Sequence, residues 1–338
     1  MIRVTAYTAG RNVPSARFRV RQYVPALARY GVAVKEFPAP FGSYPPSQRW
    51  LRPLWGFASL AANIPRAARS WSRDVCLLQR EFLSTFVTLE HLTKKPRILD
   101  VDDAVYLYRD GHAARALAIM VDRIICGNAS LAQWFRRWNS NVEVIPTPID
   151  TGLYLPTART GSDSTVIGWS GTSSNFPHLE SIESALLRVL TTIPAARLRI
   201  VSDRRPSLRS IPKDRVEFVR WTQENEVSDI QSMDIGIMPL QDSEWARGKC
   251  SFKMIQYMAC GLPVVVSPVG MNVDVLRLGR CGIAASAQNE WVDSLVSLLE
   301  SPKLRVSLGM EGRHITEAHF SLEVLAPKLA RYLGGDRI

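Results

Sequence analysis

The sequence predicts two doubly wound α/β domains in tandem, and three observations carry the prediction. Short β-branched runs alternate with segments of helical composition. The alternation breaks near residue 148 and restarts at 165. A chain of 338 residues, 46% hydrophobic and 22% charged, supplies two packed cores at about 150 residues each. The same composition excludes a disordered chain and a disulfide-stapled scaffold.

The first series comprises 2–8 (IRVTAYT), 32–37 (VAVKEF), 75–80 (VCLLQR), 97–101 (RILDV), 123–126 (RIIC) and 142–145 (VEVI). The second comprises 165–171 (TVIGWSG), 197–202 (RLRIVS), 216–221 (VEFVRW), 235–240 (IGIMPL) and 263–267 (PVVVS). Apolar runs of this length with helices between them are parallel strands buried on both faces. Pro146-Thr147-Pro148, Pro156 and Gly161-Ser162 mark a connection near 148–163. The division is therefore 1–150, a linker over 151–163, a second domain over 164–321 and a final helix over 322–338. Ligands are expected at the carboxyl ends of the strands, in the cleft the domains face. A helix over 178–193 aligns Leu179, Ile182, Leu186 and Val189 as a packing stripe. Pro25 interrupts a helix proposed over 16–30, because its ring displaces a backbone hydrogen bond unless the helix begins nearby.

Charge is asymmetric. Residues 1–97 hold 16 basic and 4 acidic side chains, so this part meets an anionic partner, whereas the chain from 156 onward is nearly balanced. Residues 49–73 interleave Trp50, Trp55 and Trp71 with Arg49, Arg52, Arg66, Arg69 and Arg73, the composition of a segment lying on an anionic membrane surface. A helix packing its aromatics into the domain has the same composition. Single-stranded nucleic acid is disfavoured because no nucleic-acid motif accompanies the charge. Five cysteines without a C-x-x-C pair, and no apolar leader after Met1-Ile2-Arg3, predict a reducing, cytoplasmic setting. No run reaches the ~18 apolar residues that cross a bilayer.

Several chemistries lose their usual support. Thr8-Ala9-Gly10-Arg11 is no G-x-G-x-x-G, and there is no G-x-x-x-x-G-K-[ST]. His91, His112, His178, His314 and His319 lack metal-ligand spacing with cysteines. Asp100-Val101-Asp102-Asp103 carries a D-x-D, whose oxygens suit manganese or magnesium, but the same carboxylates can cap a helix or answer nearby arginines. The preferred reading places Asp102 and Asp103 near an acceptor, with His112, Gly10, Arg17, Arg19 and Arg21.

Residues 248–270, GKCSFKMIQYMACGLPVVVSPVG, read as a turn, a helix from about Ser251 to Cys260, a Gly261 stop and a buried strand. The helix N-terminus, with Lys249 and Lys253 beside it, suits a diphosphate. Here the sequence resembles the large retaining glycosyltransferase group called family four, which has a GT-B fold of two Rossmann-like domains. Gln256-Tyr257-Met258-Ala259-Cys260-Gly261-Leu262-Pro263-Val264 stands where that family has Glu-Ala-Met-Ala-x-Gly-x-Pro-Val, and Ser267-Pro268-Val269-Gly270 is similar to its following loop. DRIICGNAS at 122–130 and VEVIPTPIDTGLY at 142–154 also resemble it; SARFRVRQYVPAL at 15–27 and ILDVDDAVYL at 98–107 resemble a subgroup building bacterial surface polysaccharides.

The resemblance implies retaining, metal-independent transfer of a sugar from a nucleoside-diphosphate sugar to a glycan or lipid-linked acceptor, the leaving phosphate helping to remove the acceptor proton, by an enzyme peripheral on the inner face of the membrane. No cofactor is implied. The last helix, near 322–333, is expected to pack back toward the N-domain. The family's two glutamates, touching donor sugar and ribose, fall at Gly248 and Gln256; Gln256 can still bond ribose hydroxyls, and Glu244 is the candidate replacement at the sugar. The cations many members carry after their first C-domain strand are absent from Gly171-Thr172-Ser173-Ser174-Asn175. Lys249 and Lys253, taken as the catalytic pair, would assume the diphosphate charge, with backbone groups of Gly171, Thr172, Ser251 and Phe252, and Trp221 would stand at the nucleobase. The departures leave two alternatives: a non-catalytic sugar-nucleotide or phosphate-binding module, and a nucleotide-sugar epimerase on the same fold.

Overall fold

The structure, a computed structural model, describes residues 1–157 and 164–334; the expected linker falls partly outside them, at 158–163. The chain forms two compact units. One contains Met1–Pro148, Gly248–Cys250 and the chain from Leu322; the other contains Ile149–Arg247 and Ser251–Ser321. The segment 248–270, continuous in sequence, is thus divided between them.

The first unit holds six parallel strands: β1 (Ile2–Thr8), β2 (Val32–Pro38), β3 (Val75–Gln79), β4 (Arg97–Val101), β5 (Arg123–Cys126) and β6 (Val142–Val144), in the order β2-β1-β3-β4-β5-β6. Its helices include α1 (Tyr23–Ala28), α2 (Arg52–Arg69), α3 (His112–Met120) and α4 (Ala129–Phe135). Val4, Ala6, Leu77, Ile98 and Ile125 share one sheet face, since alternate strand residues point the same way. They pack on Tyr23 and Leu27 of α1 and on Leu325, Leu329 and Leu333 of the final helix, Leu322–Gly334, which belongs to this unit's core.

The second unit repeats the plan with β7 (Val166–Ser170), β8 (Arg197–Ser202), β9 (Val216–Arg220), β10 (Ile235–Met238), β11 (Val264–Val266) and β12 (Gly282–Ala284), in the order β12-β11-β10-β7-β8-β9. Helices α5 (Phe176–Glu180), α6 (Glu183–Thr192), α7 (Glu226–Gln231), α8 (Phe252–Ala259) and α9 (Gln288–Glu300) flank it. Ile167, Leu198 and Ile200 pack against Leu186, Val189, Trp291 and Leu295.

Eleven strands lie where the runs predict them; among the described residues β12 is a twelfth, whose Gly-Ile-Ala makes no β-branched run. The stripe over 178–193 is buried as expected but belongs to two helices, because Ile182 leaves helical geometry at φ −111°, ψ 14°. The helix over 16–30 is likewise broken. Pro14–Ala16 runs into a π-helical turn over Arg17–Arg21, and Pro25 falls in the first turn of α1, where its missing N–H costs little.

Candidate functional site

In doubly wound sheets, ligands bind where the strand order reverses, at the carboxyl ends. In the second unit that point lies between β7 and β10, with α8 beside it. Gly236 on β10 lets α8 approach closely: a Cβ there would fall 2.4 Å from the Tyr257 ring. Tyr257 is thereby buried with its hydroxyl accepting from Ser170 N (2.7 Å) at the end of β7.

The loop after β7 differs from the expectation. The Gly171 amide already donates to Val201 O (3.1 Å), so it is committed to the sheet rather than offered to a phosphate. Ser173 donates through N (2.6 Å) and Oγ (2.8 Å) to Asp203, so the absent cation is matched by a carboxylate. Burial opposes ionisation of Asp203, but these bonds prevail and hold its pKa below the ordinary carboxylate range. Thr172 is exposed, its hydroxyl bonded to Ser174 and Asn175.

The α8 helix starts within one residue of the expectation. Ser251 has φ +50° and lies outside the helix, buried, donating its hydroxyl to Asn272 Oδ1 (2.7 Å), while Phe252 is the first helical residue. Lys253 Nζ is 3.5 Å from Glu226 Oε1, so its charge has a carboxylate partner. Gln256, one turn on, is fully buried; Nε2 donates to the Tyr154 hydroxyl (2.9 Å), which donates to Glu226 Oε2 (3.0 Å). Sequence reasoning missed both Tyr154 and Glu226. Tyr154 stands in the quoted stretch 142–154, but no spacing rule singles out Glu226.

Trp221 is half-buried after β9, the edge strand two positions from β7, and its amide donates to Ser202 O (2.9 Å). Glu244 is exposed at the start of the short helix Glu244–Arg247.

In the first unit the reversal lies between β1 and β3, and the carboxyl edge extends across β4 and β5. Gly248–Cys250 is docked there. Asn128, capping α4 by accepting from Leu131 N (2.8 Å), donates to Gly248 O and Lys249 O (both 3.0 Å), and Cys250 Sγ donates to Asp102 O (3.1 Å). A Cβ on Gly248 would sit 2.6 Å from Ala104 Cβ and 3.0 Å from Ala104 N, leaving no room for the family's first glutamate. Lys249 is half-buried, and burial lowers its pKa against the raising influence of Asp103. The two lysines expected to act as a pair belong to different units.

Arg80, unremarked in the sequence, meets two carboxylates of the D-x-D stretch. Its Nη2 donates to Asp102 Oδ1 (2.6 Å) and Asp103 Oδ2 (2.7 Å), and Nη1 donates to the Tyr44 hydroxyl (2.9 Å). A guanidinium thus bridges the carboxylates offered to a metal, and among the described residues no group of three His, Cys, Asp or Glu is placed to hold a metal ion. Arg80 adopts φ +64°, a left-handed backbone rare for a long side chain. Burial and neighbouring Asp102 raise the Asp103 pKa, while Asp102, despite burial, is held low by Arg80.

Of the three arginines expected at an acceptor, Arg19 and Arg21 are committed to carboxylates of their own unit, and only Arg19 is buried. Arg19 is buried, bonded through Nε (3.1 Å) and Nη2 to Asp100 and through Nη1 to Ile145 O (2.7 Å). Arg21 pairs with Glu36 (2.6 Å) and donates to Gly10 O (2.9 Å) and Arg11 O, which commits the Gly10 carbonyl too. Arg17 lies over the Phe18 ring, 4.6 Å from its centroid, and His112 is exposed at the start of α3.

Residues 165–301 match the family model for glycosyl transferases group 1. The group 1 segment thus spans β7 to the end of α9 and contains Gly171, Trp221, Glu244, Lys253 and Gln256. No curated protein matches the sequence. Among solved structures, a sucrose-phosphate synthase from Thermosynechococcus elongatus superposes with TM-score 0.73 at 17% identity over 98% of each chain. HepE from Anabaena, in complex with UDP and glucose, gives TM-score 0.75 at 14% identity over 99% of this chain and 100% of that one. WaaG, a glycosyltransferase involved in lipopolysaccharide biosynthesis, gives 0.68 at 13% over 99% and 100%. At these identities the likeness establishes the fold, and the fold is GT-B.

Proposed function

We propose that the protein is a glycosyltransferase that moves a sugar from a nucleoside-diphosphate sugar to a glycan or lipid-linked acceptor, with retention and without a metal, in cell-surface polysaccharide synthesis. The observation that carries this reading is the group 1 match over 165–301, which includes the α8 segment. Structures of like fold add support: HepE was solved with UDP and glucose, and WaaG acts in lipopolysaccharide biosynthesis. In this reading the donor lies at the second unit's strand reversal, its diphosphate near the start of α8 and its ribose near Gln256. Lys253 stabilises charge on the departing diphosphate, which takes the acceptor proton. Arg17, Asp103 and His112 contact the acceptor.

Peripheral membrane binding belongs to the same proposal, and α2 supports it. The helix is inside out: Ser59, Asn63 and Arg66 are buried, while Leu54, Phe57 and Ile64 are 67%, 74% and 58% exposed, continuing a stripe begun by Trp50 at 78%. Trp71 is exposed nearby, Trp55 is half-buried with its indole N–H on Phe41 O (3.2 Å), and Arg52 and Arg69 flank the helix. Arg66 must be removed from the expected membrane set, because it donates to Asn63 and Phe37 O, and burial lowers its pKa to about 10. Among the described residues no helix is long and apolar enough to cross a membrane. Apolar stripe and basic flanks match an anionic bilayer, at roughly 1 kcal/mol per basic residue near the surface. Phosphatidylglycerol vesicles should bind the protein, and Leu54→Asp with Phe57→Asp should abolish binding; unchanged binding removes this part of the proposal.

The activity is tested by thermal shift with UDP, GDP, ADP, CDP and dTDP in EDTA, followed by turnover of the matching sugar nucleotide. One nucleotide should stabilise the fold by roughly 2–4 °C near saturation, and Lys253→Ala should remove turnover. Binding without turnover would leave the non-catalytic module.

A further inference from the structure

We infer that Glu226 is a positioning residue: acting through the Tyr154 hydroxyl, it fixes the Gln256 amide so that Oε1 is the atom receiving a hydroxyl of the bound ligand. The inference rests on the donor site proposed above and adds how an amide works at this position.

An amide has unlike ends, one donating and one accepting, and a buried amide needs something to set which end faces the ligand. Here the order is forced. The Glu226 carboxylate, paired with Lys253 Nζ at 3.5 Å, offers acceptors. The Tyr154 O–H therefore donates to Glu226 Oε2 (3.0 Å), leaving the tyrosine oxygen with lone pairs alone to offer. The group facing it must be Nε2 of Gln256 (2.9 Å), which turns Oε1 the other way. Oε1 is buried with no hydrogen-bond partner. A buried acceptor left so is costly until a donor reaches it, and a ligand hydroxyl is such a donor. Lys253, one turn toward the N-terminus on the same helix face, keeps 26% of its side chain exposed, so solvent reaches the network at the lysine paired with Glu226. A carboxylate would need no relay, since its two oxygens are alike; Tyr154 and Glu226 supply the direction that the amide lacks.

The test measures equilibrium binding of UDP, GDP, ADP and CDP, each beside its 2′-deoxy and 3′-deoxy forms. For the nucleotide that binds, loss of the hydroxyl facing Gln256 should weaken binding about tenfold. In Tyr154→Phe the amide can reverse, and the discrimination should shrink to about twofold or less. Adding Gln256→Glu to Tyr154→Phe should restore it, which a merely structural tyrosine would not allow. Glu226→Gln, nearly isosteric, should give an intermediate value and provides the reading if Tyr154→Phe does not fold. Full discrimination retained in a folded Tyr154→Phe, failure of the double variant to restore it, or equal binding of ribo and deoxy forms by the unaltered protein overturns the inference. Equal binding would leave the donor site standing. Absence of binding by every nucleoside diphosphate overturns the donor site and the inference with it.

Discussion

The two strand reversals are built on different orders and filled in opposite ways. Counted within its own unit, the second sheet has the order 3-2-1-4-5-6 and the first begins 2-1-3-4-5, the two common doubly wound plans. At the first unit's edge the charges answer one another: Arg80 bridges Asp102 and Asp103, Arg19 holds Asp100, and Arg21 holds Glu36. Beside the second unit's reversal the loop after β7 has no cation, and Gln256 keeps an unused acceptor. A basic composition is therefore a poor guide to where a ligand's charge is met. Arg19, Arg21 and Arg80 of the first unit are committed internally, and the unit nearer charge balance carries the unpaired polar atom.

The largest expected effect tests that contrast directly. The Arg19 and Asp100 side chains are 2% and 4% exposed, and removing one partner of such a pair leaves a buried charge. Arg19→Ala should cost about 3–5 kcal/mol of stability in urea unfolding, whereas Arg17→Ala should be nearly neutral for stability and act on acceptor KM. If Arg19→Ala folds as stably as the unaltered protein while KM rises, Arg19 meets a ligand after all, and the contrast between the edges breaks.

A smaller effect is expected at Gly248. Restoring the family's glutamate by Gly248→Glu drives a Cβ into the Ala104 backbone, at 3.0 Å from its nitrogen. The expected loss is about 1–3 kcal/mol from overpacking, with no gain in turnover. Improved turnover without a stability loss would mean that the position can still carry the glutamate's role.

The fold was legible because its signals are local. Runs such as VAVKEF and RLRIVS announce strands without reference to anything distant, and β12 escaped only because three residues, Gly-Ile-Ala, make no pattern. The breaks at Ile182 and in the π-turn at Arg17–Arg21 change backbone angles without disturbing apolar spacing, so periodicity passes over them. In the site, what could be read was what the quoted motif contained, including the departures at Gly248 and Gln256. The partners could not be read. Tyr154 meets Glu226 across 72 positions and Gln256 across 102, and Asn128 meets Gly248 across 120. Even Arg80, 22 positions from Asp102, is joined to it only because β3 and β4 lie side by side with Gln79 opposite Asp100. A charge census counts such arginines as available; the sheet register commits them.

The smallest expected effect sharpens the comparison through acid. Each unit has a carboxylate whose pKa folding lowers. Asp74 is brought to about 2 by hydrogen bonds from Arg3, which comes from the next strand. Glu290 is lowered by the N–H groups of Ser286 and Ala287 at the start of its own helix. For both, the folded pKa lies below the unfolded one, so the stabilisation is complete above the ordinary carboxylate range and fades as pH falls through the folded value. Asp74→Asn should lower the melting temperature slightly at pH 6, and the gap from the unaltered protein should close as pH approaches about 2. Glu290→Gln keeps an acceptor for the helix start and should cost less at pH 6. The two differ because Asp74 ties β1 to the residue preceding β3, whereas Glu290 completes a local turn. A gap for Asp74→Asn that persists unchanged to pH 2 would show that packing around the strand ends, and not the charge on Asp74, is what the substitution disturbs.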